Sequence, residues 1–276
     1  MAGVRFILAG VALILWARWR GAERPTRIHW RNTAIVGALL LLGGNGGVVW
    51  AEQFVPSGIA SLLVAILPFW IVLIDWLRPN GTRPSRGVII GLVVGLVGLV
   101  VLIGPSALDP SRKSATAAGA GNGVVLGGAI VLILASLSWA LGSIYSNHNV
   151  LPKSALLATG MEMLSGGLLL LIAGLISGEL MRFDPAGVST RSVAAFIYLT
   201  TIGSLVGFTA YIWLLKVQPP ARVATYAYVN PVVAVFLGWA FAGEALSLRT
   251  AIAAAIIIGA VALITTARSS SRPEPV

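Results

Sequence analysis

Long apolar runs alternate with short polar loops along the whole chain. A helix needs about 20 mainly apolar residues to cross a bilayer, and nine runs approach or exceed that length: about 3–17, 33–53, 57–77, 87–104, 123–146, 154–177, 192–215, 221–242 and 247–267. Backbone groups in lipid must satisfy their own hydrogen bonds, so these runs are expected to be helices. The pattern predicts an all-α integral membrane protein with nine transmembrane helices.

The composition supports a membrane protein. Of 276 residues, 57% are hydrophobic and 10% are charged, whereas a soluble domain carries about 25% charged residues. The 32 glycines and nine tryptophans fit the same class, since glycine is frequent in membrane helices and tryptophan at membrane interfaces. The absence of cysteine excludes disulfides, thiolate metal sites and cysteine nucleophiles.

The basic residues predict an orientation in the membrane. One set of alternate loops holds thirteen of them: Arg18, Arg20, Arg24, Arg27, Arg31, Arg78, Arg83, Arg86, Lys153, Lys216, Arg222, Arg268 and Arg272. The other loops hold five: Arg112, Lys113, Arg182, Arg191 and Arg249. Because cytoplasmic loops are enriched in lysine and arginine, the carboxyl terminus is expected in the cytoplasm. The net charge of +10 is therefore a topology signal, and no nucleic-acid partner is expected.

An internal repeat occurs at a constant offset of 163 residues. Seven residue pairs match without gaps: Gly44 and Gly207, Trp50 and Trp213, Pro56 and Pro219, Pro68 and Pro231, Val72 and Val235, Trp76 and Trp239, Arg86 and Arg249. Coincidence in a low-complexity sequence is the alternative explanation. Five predicted spans separate each residue from its mate, so the second copy crosses the membrane in the opposite direction. Inverted repeats are typical of secondary transporters that work by alternating access.

Three segments carry a resemblance to a known family. The runs MAGVRFILAGVALIL, GGNGGVVWAEQFVPSGIASLLVAILPFW and ATYAYVNPVVAVFLGWAFAGEALSL are similar to EamA-type members of the drug/metabolite transporter superfamily. The similarity extends from Met1 to about Thr266. It implies ten helices in two inverted five-helix halves, with both chain ends in the cytoplasm. It also implies export of amino acids, metabolites or drugs across the bacterial inner membrane, without enzymatic chemistry.

The resemblance divides the chain into parts. Residues 1–115 correspond to a first repeat, 122–268 to a second repeat and 269–276 to a cytoplasmic tail. The start MAGVRF resembles the interior start of the second family helix, so the first family helix is expected to be absent here. A non-transporting membrane subunit, or a truncated and inactive transporter, is therefore the alternative to a working exporter. A monomer and a homodimer both stay open.

Deep polar residues are the first candidates for binding a solute, because they are costly in hydrocarbon. Glu162 lies about eight residues into its predicted span and suits a substrate amine or a proton. A structural ion pair or a water-facing vestibule is the alternative for this carboxylate. Asn45 lies mid-span among four glycines, which allow a helix or a ligand to approach closely. Packing between helices, with the amide as an interhelical hydrogen bond, is its alternative.

A second polar cluster lies near the middle of the eighth predicted span. Tyr228 and Asn230 are expected to bind substrate there, and Pro231 is expected to bend the helix. Its repeat mate Pro68 is expected to bend the other half, as a hinge or as part of a cavity wall. Trp139 suits stacking on an aromatic or cationic substrate and equally suits packing. These depths predict one central cavity between the halves.

The sequence contains no nucleophile with a neighbouring base, no metal-ligand spacing and no phosphate-binding loop. An enzyme, a metal site and a cofactor are therefore not expected. The partners expected are a small-molecule substrate and the lipid bilayer.

Overall fold

The computed structural model describes residues 1–55, 60, 63–79, 81, 83–103, 122–179, 188–242 and 248–267. Helices are the regular elements of these ranges, which confirms the predicted all-α membrane class. By length and composition, six of the described helices are able to cross a membrane. The count of nine spans stays a prediction.

The described part of the chain contains nine main helices. Their bounds are α1 Ala2–Trp19, α2 Arg27–Ala51, α3 Leu67–Leu77, α4 Arg86–Ile103, α5 Asn122–His148, α6 Ala155–Ile176, α7 Thr190–Val217, α8 Tyr226–Ala242 and α9 Leu248–Thr266. A single helical turn, Pro220–Val223, precedes α8. In the predicted run 57–77, residues 60, 63 and 64 are helical, a turn follows at 65–66, and α3 begins at Leu67.

Hydroxyl side chains fix the amino-terminal ends of three helices. Thr26 accepts from His29 N before α2, Ser154 from Leu157 N before α6, and Ser189 from Ser192 N before α7. Each of these bonds satisfies one of the backbone donors that the first helical turn leaves without a partner. The loops therefore end, and the long helices begin, at positions set by local chemistry.

Two of the long helices contain wide turns. The middle of α2 is π-helical over Ala38–Gly46, and the middle of α7 is π-helical over Leu199–Phe208. The repeat offset of 163 places residues 38–46 on 201–209, so the two segments occupy matching positions of the predicted repeat. π-Helical turns are rare in proteins as a whole, and those that occur often lie at functional sites. Superposition of the two halves about an axis in the membrane plane stays a prediction.

The chain forms two compact units. The first contains Met1–Gly46 and Leu141–Gln218, and the second contains Gly47–Ala140 and Pro219–Val276. Neither unit coincides with a predicted repeat, since each draws on both parts of the chain. The repeats 1–115 and 122–268 were defined by sequence similarity and not by compactness, so they stay a prediction. The predicted tail 269–276 lies outside the described residues.

Glycines bring α1 and α6 into backbone contact within the first unit. A methyl group on Gly10 would lie 2.7 Å from the Leu164 nitrogen and 2.8 Å from the Gly160 oxygen. One heptad away, a methyl group on Gly3 would lie 2.9 Å from the Gly167 oxygen. Small residues permit this approach, and close packing is the main attraction between helices in lipid. Any side chain at Gly10 would separate α1 from α6.

Aliphatic packing joins α4, α8 and α9 in the second unit. Leu92, Leu99, Tyr228 and Ile257 are buried in one cluster with neighbours from all three helices. A methyl group on Gly95 would lie 2.9 Å from the Tyr228 ring, so α4 has room for this ring only because residue 95 is glycine.

Candidate functional site

Glu162 is a buried carboxylate without a partner. Its side chain has 0% exposure, and neither carboxylate oxygen accepts a hydrogen bond. Within the described residues no cation forms an ion pair with it. An unpaired buried charge is costly, by several kcal/mol after relaxation. The position therefore favours either a bound proton or a cationic ligand.

Close helix packing places this carboxylate. A methyl group on Gly37 of α2 would lie 2.8 Å from the Gly166 nitrogen of α6 and would overlap the backbone oxygen of Glu162. A methyl group on Gly166 would in turn lie 2.6 Å from the Gly37 oxygen. The α2 and α6 backbones therefore meet at Glu162, and the residue is held on a rigid part of the unit.

Lys216, near the end of α7, carries the opposite charge that acts on Glu162. Its ammonium donates to the Pro152 oxygen at 2.9 Å and, among the described residues, forms no ion pair with the carboxylate. The attraction between Glu162 and Lys216 therefore acts at longer range, and both carboxylate oxygens stay available.

Other polar atoms of the first unit are also buried without a hydrogen bond. They are Asn45 Oδ1, Thr159 Oγ1, Ser204 Oγ, Thr209 Oγ1 and Arg5 Nε. All except Arg5 Nε are oxygens that can accept a hydrogen bond. With the two Glu162 oxygens, the set is rich in acceptors and suits a ligand that carries N–H donors. Arg5 stacks on the Phe6 ring at 4.5 Å, and among the described residues no acid pairs with it.

The predicted residues of the second unit differ from one another. Tyr228 is fully buried, and its hydroxyl donates to the Leu92 oxygen at 3.3 Å. Asn230, two residues further along α8, is exposed. Trp139, on α5, is half-buried. Tyr228 thus contributes to helix packing, while Asn230 lies on another face of α8.

The two predicted helix-bending prolines occupy different places. Pro231 lies inside α8, as the sequence predicts. Pro68 lies in the first turn of α3, where a missing N–H removes no helical hydrogen bond. Pro68 thus lies at the start of α3, directly after the turn at residues 65–66. A hinge at either proline stays a prediction.

Asn45 and Glu162 belong to the first unit, and Trp139, Tyr228 and Asn230 belong to the second. One cavity lined by all five stays a prediction. Thr159 was not predicted, although its spacing of three residues from Glu162 places both on one face of a helix. Within the part of the chain that the structure describes, no three metal-binding side chains cluster.

Hydrogen bonds tie the carboxyl end of α5 to the start of α2. Asn32 donates to the Val150 oxygen at 2.8 Å and accepts from the Tyr145 hydroxyl at 3.1 Å. These side chains lie at the membrane side that the basic residues predict to be cytoplasmic. The loop after α5 is therefore fixed to α2 at this end of the first unit.

The same end of α5 is also bonded to α7. The Ser143 and Tyr211 hydroxyls are 2.6 Å apart, and Asn147 donates to the Leu215 oxygen. Together with the bonds of Asn32, these contacts close the packing of α2, α5 and α7 at one membrane side. Such contacts must break if that side opens.

Replacing Asn45 or Asn230 with alanine is expected to lower solute efflux about fivefold, with little change in protein abundance. Each amide supplies donors and an acceptor, and one net hydrogen bond contributes about 1 kcal/mol. Efflux from loaded cells, divided by abundance from an immunoblot, measures the effect. Asn149→Ala removes an exposed amide at the end of α5 and is the matched control. Equal losses of abundance and efflux would assign these residues to packing, and normal efflux in both variants would remove them from the site.

The long apolar helices and the buried polar groups define the class as a polytopic helical membrane protein. The model of the EamA-like transporter family matches residues 1–104 and 126–266, so the chain belongs to that family. It is 38% identical to the uncharacterized inner membrane transporter YedA of Escherichia coli K12, over all of this chain and 84% of that protein. It is 24% identical to the uncharacterized transporter YoaV of Bacillus subtilis, over 94% of this chain and 82% of that protein.

A solved structure supports the fold. A crystal structure with 21% sequence identity matches 96% of this chain and 86% of its own, with a TM-score of 0.73. At this identity the likeness concerns the fold alone. The family and the relatives together identify a membrane transporter rather than an enzyme.

Proposed function

We propose that this transporter exports a small organic solute with a basic nitrogen, such as an amino acid, an amine metabolite or a cationic drug. The observation that carries the proposal is the Glu162 carboxylate, buried and without a partner inside the first unit. A cationic nitrogen that reaches Glu162 offsets the cost of burying its charge. A proton at the same place does so when no solute is bound.

The other unpartnered polar atoms of the first unit support a donor-rich solute. The unpartnered oxygens of Asn45, Thr159, Ser204 and Thr209 belong to the same unit as Glu162. Amino and amide groups donate to such oxygens. The Glu162 carboxylate in addition attracts a cationic nitrogen, whereas it repels the negative charge of a phosphate group. The polar groups of this unit therefore favour amines over sugar phosphates.

Alternating access is the mechanism that we propose for export across the inner membrane. The internal repeat and the matching π-helical segments support it, since inverted halves rock about a central site in secondary transporters. The bonds of Asn32, Ser143 and Asn147 would open and close one membrane side in each cycle.

Transport by the purified protein in liposomes tests the proposal. Liposomes are loaded with a labelled solute, and exchange is measured for pairs that differ only at the nitrogen, such as a free amine and its N-acetyl derivative. We expect exchange of the free amine, at least tenfold faster than that of the acetylated partner. Equal exchange of both partners, or exchange of sugar phosphates alone, would contradict the assignment.

The carboxyl terminus is expected in the cytoplasm, because thirteen basic residues lie on that side against five on the other. The absence of native cysteine permits a direct measurement with single introduced cysteines. A cysteine in place of Ser270 should react with a membrane-impermeant maleimide only after the membrane is opened. Labelling of intact cells at this position would reverse the predicted topology.

A further inference from the structure

A groove of about 320 Å³ lies in the second unit between α3 and α4. Its walls are almost entirely apolar and include the rings of Phe69, Trp70 and Trp76. Leu73 and Trp76 are exposed, so the groove opens at the surface of the unit. All of its lining residues belong to the second unit, whereas Glu162 belongs to the first.

The groove has the dimensions of one leaflet. Its walls extend along α3 from Ile66 to Trp76 and along α4 from Ile89 to Leu96. At 1.5 Å per residue these stretches are roughly 10 to 15 Å long. Half of the hydrocarbon core of a bilayer is about 15 Å thick. A single acyl chain therefore fits the length of the groove.

One polar atom in the wall lacks a partner. The indole nitrogen of Trp70 is buried and donates to no acceptor in the described part of the chain. A buried donor without an acceptor costs about 1–3 kcal/mol. Because this nitrogen is buried and adds no polar surface to the groove, the groove lining stays apolar and suits an acyl chain rather than a polar ligand.

Two arginines mark one end of the groove. Pro84 lines the groove, and the exposed Arg83 and Arg86 lie beside it in the sequence. Arg78 is neutralised by Asp75 at 3.3 Å, but among the described residues no acid pairs with Arg83 or Arg86. Arg86 is also the first residue of α4, and the first turn contains no acid. The amino-terminal end of a helix is the positive end of its dipole. An anion at this place is therefore attracted both by the arginine charges and by the dipole of α4.

We propose that this groove binds an anionic phospholipid, with one acyl chain between α3 and α4 and the headgroup phosphate at Arg83 and Arg86. The basic residues predict that this end of the groove faces the cytoplasm, where anionic lipids attract basic segments next to the membrane. A zwitterionic lipid fills the apolar groove equally well but lacks net charge for the two arginines. The site should therefore select lipids by the charge of the headgroup and not by the type of acyl chain.

Native mass spectrometry of the full chain in detergent tests this site. Phosphatidylglycerol and phosphatidylcholine with identical acyl chains are titrated against the protein and against two variants. Arg83→Gln/Arg86→Gln removes the charges, and Leu73→Trp fills the groove while the arginines stay. We expect Arg83→Gln/Arg86→Gln to weaken phosphatidylglycerol binding about thirtyfold, because each basic residue near the surface contributes about 1 kcal/mol and about 1.4 kcal/mol is a factor of ten. Leu73→Trp should weaken the binding of both lipids, because its indole occupies the space of the acyl chain. Phosphatidylcholine should bind the parent protein about tenfold more weakly than phosphatidylglycerol.

Arg24→Gln/Arg27→Gln is the matched control, since it removes two exposed arginines of the same predicted membrane side in the first unit. This control should bind phosphatidylglycerol as the parent does, and excess inorganic phosphate should not displace the lipid. Equal weakening in the control would show general surface attraction and overturn the site. The proposal would also be overturned if both lipids bound equally, or if inorganic phosphate alone displaced the lipid. A change of Leu73→Trp from dimer to monomer with unchanged lipid binding would overturn it as well.

Discussion

Replacing Glu162 with glutamine is expected to reduce export of an amine solute at least tenfold without lowering protein abundance. The amide keeps the size of the side chain but removes the charge that would attract a cationic nitrogen. A hydrogen bond to a charged group contributes about 1.5–3 kcal/mol, which is a factor of about 10 to 100 in rate or affinity. Because neither carboxylate oxygen has a hydrogen-bond or ion-pair partner among the described residues, neutralising Glu162 breaks no such bond there. The folded protein should therefore be at least as stable as before.

Exchange in liposomes measures this effect, and thermal unfolding in detergent measures stability. Glu52→Gln is the matched control, because Glu52 is exposed and belongs to the second unit. Glu162→Asp should retain part of the activity, since it preserves the charge. Full activity of Glu162→Gln would remove the carboxylate from the transport site. Loss of both protein and activity would instead indicate a structural role.

Replacing Gly10 with leucine should strongly destabilise the protein. A side chain at this position would meet the backbone of α6 at Gly160 and Leu164, and backbone atoms cannot move aside as a flexible side chain does. Overpacking typically costs 1–3 kcal/mol, and we expect about 3 kcal/mol here because α1 must separate from α6. The midpoint of thermal unfolding in detergent and the amount of protein in the membrane should both fall.

Gly259→Leu is the matched control for this variant. Gly259 lies inside α9, and a methyl group there would meet no atom within 4 Å. Both variants add the same side chain to a helix, so the difference between them isolates the contact of α1 with α6. Similar unfolding midpoints for the two variants would show that this glycine contact does not hold the helices together.

The hydrophobic pattern was sufficient to predict the helices but not their internal geometry. Apolar runs marked α1, α6 and α9 within a few residues. The π-helical turns in α2 and α7 were not predicted, because an apolar run has the same composition in either helical form. The start of α3 was not predicted, because the turn at residues 65–66 that precedes it is as apolar as the helix itself.

Depth along a span was a useful but incomplete guide to the site. It identified Glu162, whose charge is conspicuous in an apolar run, and the structure places this side chain in the interior. It did not separate Tyr228 from Asn230, which have nearly the same depth but different exposure. The direction of a side chain depends on which helices pack around it, and that information lies in residues far away in the sequence. Thr159 was overlooked because a single hydroxyl is common in membrane helices.

The contact between α1 and α6 also has a consequence for biosynthesis. Gly10 and Gly160 are about 150 residues apart in the chain. At about 5 to 20 residues per second, a ribosome needs on the order of 10 s to synthesise the intervening chain. Throughout that time α1 enters the bilayer with Arg5 in its first turns and without the neighbour that later covers its glycines. The contact of α1 with α6 therefore forms only after α6 has been synthesised, and the speed of translation sets the length of that delay.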